Sequence, residues 1–267
     1  MRKLLTLACS LAALLLVACG EAPQEKKAEE SAPAPAATAP AEAKTYINGI
    51  DANFPPFAFV DESGKPSGFD VDSVNWIAEK MGFKVTHQPI DWDGIIPALL
   101  AKKIDFIASG MSITEERAQK VAFSTPYWVI KQVFVAKADS PLTVDDVLTG
   151  KKILGVQRGT TEAEWIKTAA AEKGWNLELR YYDSAPLAVE DVINGRIHAA
   201  AMDDAPAKDA VEKKPVKILG TFGMKDEEFG YATRKGDAEL LNKINEGLKL
   251  LMADPYWEEL QGKYGLK

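Results

Sequence analysis

Residues 109–117 carry the side chains best suited to bind a small charged molecule. They follow the apolar run 104–108, so the pattern predicts a strand end, a loop and a helix start capped by Thr114. Glu115 and Glu116 then fall in the first turn, where the helix dipole favours negative charge. Arg117 opposes that dipole and has no acid three or four positions away. We expect its guanidinium to bind a carboxylate outside the helix, the alternative being an ion pair with a distant acid of the same domain.

A second polar loop, residues 159–164, also lies between a strand-like and a helix-like segment. Thr161 and Glu164 fit a capping box, and Gly159 allows the backbone to turn so that free N–H groups point outward. Such N–H groups bind anions, and a carboxylate held by both Arg117 and this loop would be gripped from two sides. The alternative is that the loop only caps its helix.

Asp203 and Asp204 follow the strand-like run 197–202 and provide an acidic counterpart to Arg117. An α-amino acid is a zwitterion, so burying it requires a partner for each charge, or several kcal/mol are lost. Arg117 and Asp203 supply those two partners. The alternative for Asp203 is a helix cap for Ala205 onward, a task that Asp204 could share.

The elements that must position these residues alternate between strand and helix and follow the same order twice. The first pass predicts, in order, a strand, a helix, a strand, a helix and a strand: 45–50, 71–81, 83–90, 93–100 and 104–108. The second pass repeats the order: 153–157, 162–173, 177–182, 187–194 and 197–202. Repeated units of this kind predict two mainly parallel sheets flanked by helices, which bind ligands at the carboxyl ends of their strands.

The segments outside the two passes predict how the lobes are joined. Residues 127–137 are extended and could cross from one lobe to the other, and 229–233 could cross back. The helical segment 239–262 has no third sheet to cover, so it is expected to return to the first lobe. Two crossings make a hinge. The predicted lobes are 45–128 with 226–267, and 129–225.

The first 44 residues predict export and attachment. Residues 1–19 combine a basic start, an apolar run and the ending Leu16-Val17-Ala18-Cys19, too short for an ordinary membrane span. This ending resembles the lipobox of a bacterial lipoprotein signal peptide, which implies that Cys19 is lipidated; the alternative is a plain secretory signal. Residues 20–44 are rich in proline, alanine and glutamate and predict a disordered tether that reaches on the order of 70 Å when stretched.

Composition excludes several function classes. Residues 45–267 carry a formal charge of −7, because the +2 of residues 1–19 and the −2 of residues 20–44 cancel, so nucleic acid is not an expected partner. Cys9 and Cys19 are the only cysteines, so no internal disulfide can form in the mature chain. His87 and His198 lack metal-site spacing, and no Walker-type or G-x-G-x-x-G loop occurs, so no metal or cofactor is expected.

Four stretches together resemble one family: 49–57, 68–72, 92–117 and 155–161. On them, residues 45–267 are similar to a periplasmic solute-binding protein of the polar amino acid ABC-transporter type, solute-binding protein family 3. The resemblance implies an α/β, two-lobed periplasmic binding protein type II fold with two hinge strands. It also implies a monomer that binds a free amino acid, delivers it to an ABC permease in the cytoplasmic membrane, and contacts the membrane only through its lipid anchor, in the periplasm or at the cell surface.

The resemblance also assigns roles to residues. It implies that Arg117 clamps the α-carboxylate with the N–H groups of Ser112 and Thr161. The α-ammonium would be held by the Gly110 carbonyl, the Ser112 hydroxyl and Asp203. The side chain of the bound amino acid would be surrounded by Asp51, Phe54, Trp92 and Gln157. The alternative for Phe54 and Trp92 is a role as core aromatics.

Asp51 would repel an acidic side chain and favour an amide or a cation, so a polar or basic amino acid is expected. Some family members carry a lysine in place of Gln157 or a disulfide in the first lobe, and both are missing here.

Two rival functions use the same fold. Exported cyclohexadienyl dehydratases need a carboxylic acid kept protonated in a dry pocket, for which this chain offers Asp51, Asp203 and Asp204. The amino acid clamp already uses two of these, so a binding protein rather than an enzyme is expected. The second rival is a ligand-binding partner of a membrane sensor, which would use the same cleft.

Overall fold

The computed structural model describes residues 43–267. The predicted signal peptide, Cys19 and nearly all of the tether therefore lie outside the described residues. The strands within this range are β1 Thr45–Ile50, β2 Asn53–Phe54, β3 Ala58–Val60, β4 Pro66–Ser67, β5 Lys84–Pro89, β6 Phe106–Ile107, β7 Ala122–Phe123, β8 Trp128–Ile130, β9 Gln132–Lys137, β10 Ile153–Gln157, β11 Glu178–Tyr182, β12 Ala199–Asp203, β13 Val216–Thr221, β14 Glu227–Phe229 and β15 Ala232–Thr233. The helices are α1 Phe69–Met81, α2 Trp92–Leu100, α3 Glu115–Lys120, α4 Val144–Thr149, α5 Thr161–Lys173, α6 Ala185–Ile193, α7 Asp204–Lys213, α8 Ala238–Ala253 and α9 Pro255–Lys263.

Two five-stranded sheets organise these elements, in the orders β5-β1-β6-β15-β7 and β11-β10-β12-β9-β13. In the first sheet β1 is parallel to β5 and β6, whereas β15 is antiparallel to both of its neighbours. In the second sheet β10 is parallel to β11 and β12, whereas β9 is antiparallel to both of its neighbours. Four strands of each sheet therefore run in one direction and one runs against them, which agrees with the predicted mainly parallel sheets.

The reversed strand of each sheet is the one that the chain enters after crossing between the sheets. The crossing segments contain β8 and β14, which pair antiparallel, with Phe229 opposite Trp128. β8 leads into β9 of the second sheet, and β14 leads into β15 of the first. The carboxyl ends of the other four strands of each sheet face the opposite sheet. A chain that arrives from the opposite sheet therefore runs in the reverse direction to those strands. The exact lobe limits, 128 and 226, remain a prediction.

Helices cover both faces of the second sheet because its strands are apolar on both sides. Val133 and Val135 pack with residues of α6 and α7, whereas the intervening Phe134 packs with residues of α4 and α5. The predicted return of the last helices is also observed. Residues of α8 and α9 pack with α1 in the core of the first sheet, and Gly247 allows close contact, since a Cβ there would lie 2.4 Å from Ile77 Cγ2.

Within residues 43–267, no helix has both the length and the apolar character needed to cross a membrane.

Candidate functional site

A cavity lies between the two sheets, where the carboxyl ends of their strands face each other. Asp51 follows β1, the 109–117 segment follows β6, and Gln157 and Asp203 end β10 and β12. All nine residues that the sequence assigns to a ligand line this cavity: Asp51, Phe54, Trp92, Gly110, Ser112, Arg117, Gln157, Thr161 and Asp203. Its internal space is about 20 Å³, roughly that of one water molecule.

Arg117 is nearly buried, with 9% of its surface exposed, and its helix begins as predicted. The Thr114 hydroxyl accepts a hydrogen bond from the Arg117 N–H at 3.1 Å, and α3 starts at Glu115. The guanidinium donates to the Ser112 carbonyl at 3.0 Å and, across the cavity, to the Gly159 carbonyl at 3.1 Å. It lies 5.4 Å from the centre of the Trp92 ring. No carboxylate within residues 43–267 forms an ion pair with it, so the alternative of a distant intradomain partner is not observed there.

Asp203 occupies the N-cap position of α7, but its side chain does not cap the helix. Its Oδ1 instead accepts a hydrogen bond from Gln132 Nε2 at 2.9 Å. Asp204 accepts from the Lys131 N–H and forms an ion pair with Lys208. Burial raises the pKa of Asp203 well above its usual value, and the neighbouring Glu162 raises this pKa further. The carboxyl group of Asp203 thus faces the cavity rather than its own helix.

Asp51 and Gln157 meet at the other end of the cavity. Gln157 Nε2 donates to Asp51 Oδ2 at 2.7 Å, so the hydrogen bond joins the first sheet to the second. Asp51 also accepts from the Asn53 N–H at 3.0 Å. Burial raises the pKa of Asp51, and the Gln157 hydrogen bond opposes that shift. An amide hydrogen thus occupies the position from which Asp51 could accept a hydrogen bond from a bound molecule.

The aromatic residues at this site have mixed roles. Phe54 is buried against Phe57 and Phe229 as well as lining the cavity, so its core role and its wall role coexist. Trp92 begins α2 and is only partly buried, and its Nε1 donates to the Gly159 carbonyl at 3.2 Å. Trp92 therefore lines the cleft and also packs against the hydrophobic core of the first lobe.

Comparison with known proteins identifies the kind of cleft. The model of the bacterial extracellular solute-binding proteins, family 3, matches residues 46–267. The chain belongs to this family. This solute-binding protein is therefore exported, as its first residues predict.

Three known proteins illustrate the similarity. The L-cystine-binding protein TcyJ of Escherichia coli (strain K12) is 33% identical over 224 residues, which are 82% of each chain. A structure of an ancestral arginine-binding protein bound to glutamine has a TM-score of 0.76 and 39% identity, covering 82% of this chain and 97% of that one. A structure of an ancestral amino acid-binding protein, a precursor of cyclohexadienyl dehydratase, has a TM-score of 0.76 and 34% identity, covering 82% and 95%.

Two further acidic residues of the solute-binding protein lie at or near the cavity, and neither was predicted from the sequence. Glu162 lines the cavity and is buried, and burial raises its pKa to about 7. Glu227 lies on the second crossing segment, and its Oε2 accepts hydrogen bonds from Thr161 Oγ1 at 2.7 Å and from Gln132 at 3.3 Å. Glu162 directly follows the predicted loop residue Thr161, which is a signal that could have been used. No local pattern marks Glu227.

Some local expectations were wrong. Helix α5 starts one residue earlier than its predicted capping box requires, so Thr160 is the N-cap and its hydroxyl accepts from the Ala163 N–H at 3.4 Å. Glu164 is then left on the surface, paired with Lys167. Helix α2 begins at Trp92, one residue before its predicted start at 93, so Asp91 holds the N-cap position.

The histidines of the solute-binding protein form hydrogen bonds within the fold. His87 lies between Asn48 and Asn75, at 3.1 and 3.0 Å, and burial lowers its pKa to about 4. His198 Nδ1 accepts from the Ile153 N–H at 3.0 Å. Among the residues that the structure describes, no group of three or more His, Cys, Asp or Glu side chains could hold a metal ion.

Proposed function

We propose that this solute-binding protein is the substrate-binding component of an ABC importer and captures a polar or basic L-amino acid between its two lobes. One observation carries the proposal. A nearly buried arginine of the first lobe, without a carboxylate partner in the described range, lines the same cavity as Asp203 of the second lobe. Such a pair neutralises both poles of a zwitterion, which would otherwise lose several kcal/mol on burial.

Each pole of the amino acid has its own set of groups in this proposal. The α-carboxylate is bound by the Arg117 guanidinium together with the N–H groups of Ser112 and Thr161, and Thr161 is the first residue of α5, where the helix dipole favours an anion. The α-ammonium is bound by the Gly110 carbonyl, the Ser112 hydroxyl and Asp203.

The side-chain end favours a polar or cationic group. Asp51 offers a buried carboxylate, and Gln157 offers an amide that can turn either its N–H or its oxygen toward the amino acid. Trp92 can stack on a guanidinium or an apolar stem. Phe54 forms part of the cavity wall. The similarity to a protein described as arginine-binding and bound to glutamine supports this range of side chains.

Binding and delivery follow from the two lobes. The amino acid binds first to the lobe that carries Arg117, and contacts from Thr161 and Asp203 then stabilise closure. The closed protein presents a surface made by both lobes to the permease. We further propose that the protein acts as a monomer, which light scattering after gel filtration would test.

A thermal-shift screen against the twenty amino acids tests the proposal. A ligand present at a hundred times its dissociation constant adds about 2.7 kcal/mol to the free energy of unfolding. We expect the largest increases in melting temperature with arginine, lysine, histidine or glutamine. If no amino acid raises the melting temperature, or if only aspartate and glutamate do, the proposed polarity of the cleft is wrong.

A second candidate function rests on Glu162. A buried carboxyl group with a pKa raised to about 7 is partly protonated at neutral pH and can serve as a general acid that protonates a leaving hydroxyl group. The similarity to a precursor of cyclohexadienyl dehydratase makes this test worthwhile. Steady formation of an aromatic product from prephenate or arogenate, abolished by Glu162→Gln, would establish the enzyme. We expect no turnover, because the amino acid clamp is complete without this step.

We also propose that lipidation of Cys19 anchors the protein to a membrane, so that residues 20–44 act as its tether. The support is the Leu16-Val17-Ala18-Cys19 ending of the apolar segment. In cells that produce the full chain and are fed radiolabelled palmitate, we expect label on the wild-type protein and none on Cys19→Ala. Absence of label from the wild-type protein would favour a plain secretory signal.

A further inference from the structure

Asp70 is a carboxylic acid in the core of the first lobe, with 0% of its surface exposed. Its Oδ2 accepts hydrogen bonds from the Gly110 N–H at 2.7 Å and from the Tyr127 hydroxyl at 2.9 Å. Its Oδ1 accepts from the Tyr231 hydroxyl at 3.2 Å. No lysine, arginine or histidine of the described range is among its partners. Burying a carboxylate without a cation costs free energy, and the hydrogen bonds from these three donors offset that cost.

The three donors belong to three different parts of the proposed binding mechanism. Gly110 lines the cavity. Tyr127 immediately precedes β8 on the first crossing segment, and Tyr231 lies between β14 and β15 on the second. The two tyrosine rings contact each other, with their centres 4.6 Å apart. The Asp70 side chain, at the start of α1, thus contacts both crossing segments and residues 109–117, which we call the ligand loop.

Backbone hydrogen bonds join the ligand loop to the second crossing segment beside Asp70. The Ile113 N–H donates to the Glu228 carbonyl at 2.8 Å, and the Gly230 N–H donates to the Met111 carbonyl at 3.0 Å. A rotation about the crossing segments would therefore displace the ligand loop unless the loop were held by the first lobe. Asp70 supplies one such attachment through Gly110, and Ser109 Oγ, which accepts from the Asp51 N–H at 2.9 Å, supplies another.

We propose that Asp70 is a positioning residue that holds the Gly110 N–H, and with it the ligand loop, in a fixed position relative to both crossing segments. This inference rests on the proposed function, because it assigns a role to Asp70 in amino acid affinity. Gly110 has a φ of 58°, and because glycine restricts φ and ψ only weakly, the peptide planes on its two sides depend on the hydrogen bonds that hold them. The Asp70 carboxylate holds the plane between Ser109 and Gly110 through the Gly110 N–H, which limits the directions open to the neighbouring Gly110 carbonyl when it meets an α-ammonium.

Three substitutions weaken or remove these contacts. Asp70→Asn keeps the shape of the side chain but removes its negative charge and leaves one acceptor oxygen instead of two, so the Gly110 N–H meets either a neutral amide oxygen or the N–H₂ group. Tyr127→Phe and Tyr231→Phe each delete one hydroxyl. Tyr127 shares Oδ2 with Gly110, whereas Tyr231 binds Oδ1. Tyr127→Phe should therefore affect Gly110 more than Tyr231→Phe does.

Asp72→Asn is the matched control. Asp72 lies on the same helix, two residues further along, but it contacts α9 through Lys263 and Tyr264 instead of the ligand loop. The substitution removes the same negative charge from the same helix. It should leave both Gly110 and amino acid affinity unchanged.

The first readout is the Gly110 amide resonance in ¹⁵N-glycine-labelled protein without added amino acid. A short hydrogen bond to a carboxylate moves an amide proton downfield, and we expect that shift in wild type and in Asp72→Asn. It should be reduced or lost in Asp70→Asn, whose neutral amide accepts more weakly or not at all, and altered in Tyr127→Phe, which removes the other donor to Oδ2. A purely structural role of Asp70 would lower the melting temperature without a specific change at Gly110.

The second readout is calorimetric titration with L-arginine. We expect the dissociation constant to rise about tenfold or more in Asp70→Asn, the effect of losing one charge-assisted hydrogen bond, and to stay within about twofold in Asp72→Asn. If Asp70→Asn binds L-arginine as wild type does, the inference is overturned. If Asp70→Asn does not fold, an unchanged dissociation constant and an unmoved Gly110 resonance in Tyr127→Phe overturn it instead.

Arg117→Ala separates this inference from the proposed function. Loss of L-arginine binding in Arg117→Ala, together with wild-type binding in Asp70→Asn, would refute only the positioning role. Wild-type binding in Arg117→Ala would refute the proposed function itself.

Discussion

The charged side chains that line the cavity are unequal in number. Among the cavity-lining residues that the structure describes, Arg117 is the only cation, whereas Asp51, Glu162 and Asp203 are acids. A neutral zwitterion uses Arg117 and one acid. Burial raises the pKa of all three acids. A ligand with additional positive charge stabilises their ionised form, whereas the side-chain carboxylate of aspartate or glutamate opposes it, so the cleft favours the cationic ligand.

Arg117→Ala is expected to weaken L-arginine binding by about 2–5 kcal/mol, because the α-carboxylate is then buried without a partner. Calorimetric titration measures the change. Arg158→Ala is the control, since Arg158 directly follows β10 of the second sheet but is half exposed and paired with Asp183. Equal affinities of the Arg117→Ala protein and wild type would contradict the clamp.

Glu162 should make stability depend on pH. Its pKa is raised by burial to about 7 in the folded protein, whereas an unfolded glutamate titrates near 4.3. Between these values the folded state binds more protons, so the free energy of unfolding falls as pH rises from about 4.5 to 7. Urea unfolding at pH 5 and pH 7.5 should show this fall, and Glu162→Gln should reduce it by on the order of 1 kcal/mol or more.

The comparison for this effect is Glu164→Gln. Glu164 lies on the same helix but is exposed and paired with Lys167, so its substitution should leave the difference between the two pH values as in wild type. Burial also raises the pKa values of Asp70 and Asp203, so part of the pH dependence of the free energy of unfolding will remain in every variant. If Glu162→Gln and wild type have the same pH dependence, Glu162 is not protonated in the folded state at neutral pH.

At the scale of elements, the strand and helix order of both passes was predictable from periodicity. β10 has the predicted bounds, and α1 and α6 begin only two residues before theirs. The direction of the strands was less accessible. The reversal of β9 and β15 depends on which sheet the chain enters after each crossing, which is a property of the whole path rather than of the residues in either strand.

The site was predictable to the extent that it is built from strand ends. Asp203 was predicted from its position at the end of a strand, because the carboxyl edge of a parallel sheet collects such residues. Asp51 and Gln157 also follow or end a parallel strand, but they were assigned only through the family resemblance. Glu227 and Asp70 were not predicted as members or supports of the site. The first arrives on a crossing segment, and the second acts through the backbone of Gly110, so neither has a local sequence pattern that connects it with the cavity.

Gly110→Ala is expected to lower both stability and L-arginine affinity. Gly110 has a φ of 58°, and a Cβ there would lie 2.4 Å from Phe54 Cε1, so the ligand loop or the Phe54 ring must shift. Gly174→Ala is a control for backbone strain alone, because Gly174 has a φ of 66° but open space around it at the end of α5. It should cost ~1 kcal/mol of stability and no affinity. Similar affinities of the two variants would mean that the loop geometry does not matter.

At the scale of the whole molecule, the two lobes contact each other across the cavity. Arg117 and Trp92 of the first lobe both donate to the Gly159 carbonyl, and Gln157 of the second donates to Asp51. With these contacts in place, the internal space is about 20 Å³, roughly what one water molecule needs. We therefore expect an amino acid to enter only when these contacts break and the lobes separate, before they close again around it.

A disulfide between the lobes should prevent their separation and thereby block amino acid binding. A Cβ on Gly159 would lie 3.4 Å from the Asp93 Cβ, close to the separation of about 3.5–4.5 Å found in disulfides. In a chain with Cys9 and Cys19 replaced by alanine, we expect Asp93→Cys with Gly159→Cys to bind L-arginine when reduced and not when oxidised. Oxidation with L-arginine already bound should trap it, so that radiolabelled L-arginine is released only after reduction. Each single substitution controls for the strain of a side chain at Gly159, whose φ is 73°. Unimpeded exchange of L-arginine in the oxidised double variant would show that the ligand reaches its site without separation of the lobes.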